Sequence, residues 1–269
     1  MTDIWFEEQD GSTDYIPQDP LFRCIKAERH WDAQAKLETS FCQLSELELL
    51  VDKICAQYSH QHERLDKLLD AFYTVWLFSG SDQNIPEYAL NSVCYVLNMR
   101  SGSPTALAMI LSYLLQRAEF DANLALSEGE VVIHVAISND EGYLVDPSNG
   151  QQNWYIVPEN ETEADKNEEP LELVMGDEVV KLYLAQQKWA FIAADKFSHA
   201  LSCVELLMDL IGDDPYERRD RGYLLNQLNC PKMAKEDLQF FVDECPDDPT
   251  IEIIQHQIAE LADHNNILH

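Results

Sequence analysis

Positive charge is scarce in this chain: 18 of its 269 residues are Lys or Arg, against 49 Asp or Glu, for a formal net charge of -31. Binding to nucleic acid or anionic lipid depends on Lys and Arg displacing counterions, so direct contact with either is not expected. No apolar run approaches the roughly 18 residues that span a bilayer, and no basic segment followed by an apolar one opens the sequence. Any C-x-x-C pair is also missing. The seven cysteines, Cys24, Cys42, Cys55, Cys94, Cys203, Cys230 and Cys245, are odd in number and scattered, most of them among apolar neighbours. That pattern favours buried, reduced thiols over disulfides or metal ligands and suggests a reducing compartment. The expectation is a soluble cytoplasmic protein with no metal and no cofactor.

A chain of this length can bury a sizeable core, and its composition suggests two domains. Residues 1–20 are acidic and interrupted by Pro17 and Pro20, a flexible arm that is either a tail or docked through Trp5 and Phe6. Ser45 with Glu48 forms a capping-box pattern, followed by Leu47, Leu50, Val51 and Ile54 at helical spacing. A second helix carries Leu65, Leu68, Leu69, Phe72, Tyr73 and Trp76 to a stop at Gly80, and a third carries Tyr88, Leu90, Val93, Val96 and Leu97. His60 and His62 flank a junction without a third ligand, which favours surface residues over a metal site. After residue 120 the period changes. Segments 121–126, 130–138 and 142–147 are short, rich in Val, Ile, Leu and Ala and separated by turn residues, an antiparallel meander that Trp154–Val157 could extend. The first domain is therefore placed at 21–157. An acidic linker, or a loop able to swing over a site, follows at 158–176 with Glu159, Glu161, Glu163, Asp165, Glu168 and Glu169.

Residues 177–269 are helical and repetitive. Asp213-Asp214-Pro215 recurs 34 positions later as Asp247-Asp248-Pro249, and the same offset relates Ala200 to Ala234, Val204 to Leu238, Leu207 to Phe241 and Met208 to Val242. A 34-residue period marks tetratricopeptide-type helical hairpins, in which Gly222 and Ala234 would permit close helix contact and Pro246 would stop a helix. In that geometry Tyr216, Arg219, Tyr223, Asn226 and Gln227 share a concave face. Arg218, Arg219 and Arg221 lie beside it, so a protein or peptide partner, acidic in character, would fit; internal pairing with Glu217, Asp220 or the acidic linker is the alternative.

The stretch from Arg100 to Gly150 organises the first domain. Ser103 suits an N-cap and Pro104 the first helical position, and Leu107, Ile110, Leu111, Leu114 and Leu115 then trace a buried face. A cysteine hydrolase or transglutaminase needs a thiol at such a helix start, a histidine on a neighbouring strand and an Asp or Asn to orient it. His134 lies 30 residues after Pro104 and Asp146 a further 12, yet the nucleophile position holds Pro104. Ser103, Thr105 and Cys94 are the substitutes within the sequence, but an N-cap hydroxyl is already engaged and Cys94 falls in the preceding helix. His134 can be a hydrogen-bonded core residue or a base. Asp146 can cap a turn or orient His134.

Arg100-Ser101-Gly102-Ser103-Pro104-Thr105-Ala106-Leu107 matches R-x-G-x-P-x-x-L, and Asp146-Pro147-Ser148-Asn149-Gly150 matches D-P-x-N-G. With Asp214–Gly222 and Cys245–Pro249, these stretches resemble the bacterial transglutaminase-like proteins with a C-terminal tetratricopeptide-like region, many named as Sir-type regulators of invasion genes. The resemblance spans about residues 40–269. It implies an α+β transglutaminase-like (cysteine-protease-like) domain with a small antiparallel sheet, followed by all-α repeats, in a family whose members commonly lack the cysteine. Many of them carry Gly-His-Phe on the strand, and a gapless match puts Glu130 at that histidine. The expected function is a non-catalytic interaction or regulatory module. A hydrolase or acyltransferase using Ser103, Thr105 or Cys94 with His134 and Asp146 is the alternative.

Overall fold

Helix α6 (Pro104–Arg117) has ten of its fourteen residues buried. A helix buried on nearly all sides must be enclosed by other elements rather than lie on a surface. In the computed structural model, which describes residues 19–81, 84–156 and 171–266 with side chains through Leu261, a five-stranded sheet covers one side of α6, and α1 (Pro20–Ala27), α2 (Leu37–Gln57) and α5 (Val93–Met99) cover the others. The expected arm up to residue 18, with Trp5 and Phe6, and the acidic run Glu159–Glu169 lie outside the described residues. Packing divides the chain into two units, 1–183 and 184–269.

The first unit begins with α1 (Pro20–Ala27), capped by Asp19, whose carboxylate accepts from Leu21 N at 2.8 Å. A 3-10 turn (Glu28–His30) leads to α2 (Leu37–Gln57). Ser45 therefore sits in the middle of a helix, not at its start. The apolar stripe reaches back through Leu44 to Leu37, all buried, and burial of that stripe outweighs a local capping pattern. The expected helix over 65–76 is also divided. Helix α3 (Gln61–Asp70) passes into a π turn (Ala71–Val75), and Leu77 reverses the chain with φ 63°. That reversal lets Phe78 stack on Phe72 at 4.2 Å between ring centroids, both fully buried. Gly80 belongs not to a helix stop but to a two-residue strand, β1 (Ser79–Gly80). The next expected helix is two, α4 (Glu87–Leu90) and α5 (Val93–Met99), the second capped by Ser92.

After α6 and the short strand β2 (Ser101–Gly102) that precedes it, the sheet forms as the period-two pattern requires. Strands β3 (Asp121–Ser127), β4 (Glu130–Ala136), β5 (Glu141–Val145) and β6 (Gln152–Ile156) make an antiparallel meander with order β6-β5-β4-β3-β7. The fifth strand, β7 (Glu172–Val174), pairs antiparallel with β3 and lies in the stretch expected to be linker. Ala122, Leu124, Ile133, Val135 and Val145 form one face and are buried, while Asn123, His134 and Leu144 share the other.

One carboxylate lies deep in this unit. Glu28, 3% exposed, accepts from Ser92 Oγ at 2.6 Å, Cys94 N at 3.1 Å and Tyr183 Oη at 3.0 Å, so it ties the 3-10 turn to the start of α5 and to the helix that follows β7. Among the described residues no group of His, Cys, Asp and Glu could hold a metal ion, and no helix is long and apolar enough to cross a membrane.

Among the described residues five helices follow: α7 (Asp177–Ala193), α8 (Phe197–Ile211), α9 (Pro215–Gln227), α10 (Pro231–Glu244) and α11 (Ile251–Asn266). The repeat is physical. α7 ends 34 residues before α9 and α8 begins 34 before α10, and the matched pairs Ala200/Ala234, Val204/Leu238 and Leu207/Phe241 are all buried. A Cβ on Gly222 would lie 2.8 Å from Leu238 Cγ and 3.1 Å from Ala234 O, so the absence of a side chain there sets the close approach of α9 to α10. The two Asp-Asp-Pro copies differ in detail: Asp214 caps α9 by accepting from Tyr216 N and Glu217 N, whereas Asp248 accepts from Thr250 N, just ahead of α11.

Candidate functional site

Three stretches distant in sequence converge at the start of α6. Strand β1 pairs in parallel with β2, matching Ser79 to Ser101 and Gly80 to Gly102, while Gly80 N donates to Ser148 O at 2.9 Å. The two-residue strand thus holds the Arg100–Gly102 turn on one side and the Asp146–Gly150 turn on the other. The two sequence patterns meet through their backbones. Arg100 caps α5 in the left-handed region, φ 62°, and lays its guanidinium over Phe78, 4.5 Å from the ring centroid. Tyr73 donates to Pro147 O at 2.9 Å and to Asp146 O at 3.3 Å, fastening the second turn to the π turn.

The catalytic geometry does not assemble on this frame. Ser103 is the N-cap of α6 and accepts from Ala106 N at 3.4 Å, with Pro104 in the first helical position. Thr105 is 3% exposed, inside the core. Cys94 lies within α5 rather than at a helix start, and its thiol is pushed well up by burial and by the nearby Glu28 carboxylate, which disfavours the reactive thiolate. His134 stands on the sheet face opposite the one that Ile133 and Val135 turn toward α6. Its Nε2 meets Tyr155 Oη at 2.5 Å, and its Nδ1 is buried without a partner. Burial lowers its pKa, against a smaller opposing effect of Asp121, so it is neutral at pH 7. Glu130, at the tip of the β3–β4 hairpin, is exposed.

Asp146 is occupied by its own turn. Its Oδ1 accepts from Ser148 N and its Oδ2 from Asn149 Nδ2, each at 2.8 Å, which is the geometry of an Asx turn and not of a His-orienting carboxylate. Among the sequence candidates, Ser103, Pro104 and Asp146 are brought to one end of the unit and His134 is not paired with any of them. Tyr155, which lies across Gly142 to reach His134, was not singled out in the sequence; the alternating register of β4, β5 and β6 is the signal that places it there.

On the helical unit, the face expected for a partner is partly open. Tyr216 and Tyr223 are 48% and 39% exposed, and Asn226 and Gln227 are exposed. The arginines, however, are engaged within the unit. Arg221 donates to both carboxylate oxygens of Asp237, at 2.6 and 2.7 Å, and Arg218 reaches the same carboxylate at 2.7 Å. Arg219 donates to Asp220 and lies over the rings of Tyr216 and Phe241. Asp220 also holds the buried Lys188, 4% exposed, at 2.7 Å, with Glu217 at 2.9 Å. Cations expected to attract an acidic partner instead neutralise aspartates of α9 and α10.

Comparison with known proteins agrees with both units. The transglutaminase-like superfamily matches residues 42–160, and the tetratricopeptide repeat matches residues 186–259. A UPF0162 protein of Buchnera aphidicola subsp. Acyrthosiphon pisum is 30% identical over 239 residues, covering 84% of this chain and 87% of its own length. Protein SirB1 of Salmonella typhimurium is 29% identical over 236 residues, again 84% and 87%, and a UPF0162 protein of Vibrio cholerae is 27% identical over 241 residues, 87% and 89%. No solved structure matches the chain. With a transglutaminase-like α+β unit, a 34-residue helical repeat and similarity over more than four fifths of both chains, the chain belongs to the UPF0162 family, the relatives of SirB1.

Proposed function

We infer that this protein works in the cytoplasm as a non-catalytic interaction module, with the transglutaminase-like unit as scaffold and the α9 face as the binding surface for a protein or peptide. The observation that carries the reading is Pro104: a residue without a nucleophile occupies the first position of α6, and the adjacent Ser103 hydroxyl already accepts a backbone hydrogen bond. The seven free thiols support a reducing compartment.

Two experiments test it. In the native protein, an alkylating thiol reagent should modify the exposed Cys42 and Cys230 first, the half-buried Cys94, whose thiol is pushed up, more slowly, and the buried Cys24 and Cys203 only after unfolding, as followed by intact mass. Rapid labelling of Cys94 ahead of the exposed thiols would defeat the non-catalytic reading. For binding, Tyr216, Tyr223, Asn226 and Gln227 supply aromatic and amide contacts, with Arg219 as their positioned neighbour. The Asn226→Ala/Gln227→Ala double variant changes only exposed side chains, so its stability should match the wild type within about 0.5 kcal/mol. Partner capture from a bacterial extract, quantified by mass spectrometry, should fall at least tenfold. Undiminished capture would place the binding surface elsewhere.

A further inference from the structure

A cavity of about 100 Å³ opens in the first unit at the far end of α6 from Pro104, between α1, α6, β3 and the turn after β7. Met109, Leu124, Met175 and Val179 give it apolar walls, and Asp19, Ser112 and Gln116 are among its polar lining residues, beside Tyr113, whose hydroxyl is engaged with Glu48. Among the described residues its lining contains a carboxylate but no Lys, Arg or His.

Two of the polar groups are incompletely matched. Ser112 is 3% exposed, yet its Oγ has no hydrogen-bond partner, a costly arrangement for a buried hydroxyl. Asp19 is desolvated enough that its carboxyl is pushed up, and the groups opposing that rise are the backbone amides of Leu21 and Phe22, not a cation. Gln116 donates from Nε2 to Ala122 O at 2.6 Å, which fixes the amide and leaves its own Oε1 to accept.

We propose that this cavity binds a small primary ammonium ion carrying a short alkyl chain. An ammonium group has three donors and no acceptor, matching the acceptors of Asp19, Ser112 and Gln116, and its positive charge compensates the desolvated carboxylate. The alkyl part fills the space beside Met109, Leu124 and Met175. Size sets the limit: a cavity of ~150 Å³ holds the six carbons of benzene, so this one takes about four heavy atoms. A carboxylate or phosphate ligand is excluded by like charge.

The probe is n-propylammonium, titrated into the full-length protein at fixed ionic strength while backbone amide NMR shifts are recorded. Saturable shifts are expected at Leu21, Ser112, Gln116 and Gly176. Sodium propionate and propan-1-ol should give none that saturate in the same range. Asp19→Asn keeps the α1 cap, since Asn is as good an N-cap as Asp, and should weaken binding at least tenfold. Ser112→Ala removes a hydroxyl without a partner, leaves the fold intact and should weaken binding several-fold. Shifts that do not saturate, affinity equal for propionate or propan-1-ol, or affinity unchanged in both variants would each overturn the proposal and leave a cavity filled by water alone.

Discussion

Lys188→Met is expected to destabilise the helical unit by about 3 kcal/mol, the low end of what breaking a buried ion pair costs. Lys188 is 4% exposed and sits between Glu217 and Asp220, whose side chains are 14% and 9% exposed. Methionine keeps the length and the apolar stem, so the change removes little besides the charge. It leaves two desolvated carboxylates side by side; the loss is limited because Arg219 still holds Asp220. The deficit should depend on pH with a definite sign. Burial already pushes the Glu217 carboxyl up, and Lys188 opposes that rise. Without Lys188 the folded-state value climbs further above the unfolded one, so the folded variant takes up a proton more readily than the unfolded chain. The deficit is therefore full at neutral pH and shrinks as pH falls through the raised value toward the ordinary carboxylate range. Urea unfolding of both proteins at pH 7.5 and pH 5 measures it, and a deficit that stays constant or grows on acidification would refute the assignment. Lys181, paired with Glu178 on the surface, supplies the contrast: Lys181→Met should change stability by less than about 0.5 kcal/mol.

Gly150→Ala should cost about 3 kcal/mol in the first unit. Gly150 has φ 75°, where a Cβ brings strain of roughly 1–2 kcal/mol. The added carbon would also stand 2.4 Å from Tyr73 Cε2, too close for any side chain to tolerate. Tyr73 must then move, and its hydrogen bonds to the Asp146 and Pro147 carbonyls go with it, at about 1 kcal/mol each. Differential scanning calorimetry of the variant should show a lower transition for the first unit, with the helical unit unaffected. A transition within 1 °C of wild type would mean that the turn yields and Tyr73 does not hold it.

Much of the architecture was legible from local periodicity. Strands β3 to β6 alternate because one face must be buried, and α6 announces itself through Ser103, Pro104 and an apolar stripe. The 34-residue repeat was legible because Ala200, Val204 and Leu207 do the same packing work as Ala234, Leu238 and Phe241. What escaped local inspection is tertiary. Ser45 and Glu48 form a capping pattern inside a helix that burial extends back to Leu37. Asp70 ends α3 because Phe72 and Phe78 stack across the turn, a contact that no propensity encodes. β7 is three residues long in an acidic stretch, and it exists because the edge of β3 offers unpaired backbone groups. The fate of the arginines depends on Asp237, which is on the next helix and 16 residues beyond Arg221. The side taken by His134 was available in the sequence: Ile133 and Val135 flank it, and since both belong in the core, the residue between them must face away.

The strand Ser79–Gly80 gives the family's sequence patterns a different meaning. It binds the backbone of the Arg100–Gly102 turn and the carbonyl of Ser148 at once. What R-x-G-x-P and D-P-x-N-G specify here is therefore a left-handed cap, a helix start and an Asx turn fitted around a third segment. None of these requirements involves a nucleophile. Proline at position 104 is itself part of the first pattern, so a search based on the two patterns retrieves chains that share this backbone geometry and this proline helix start, and it selects for no nucleophile at that position.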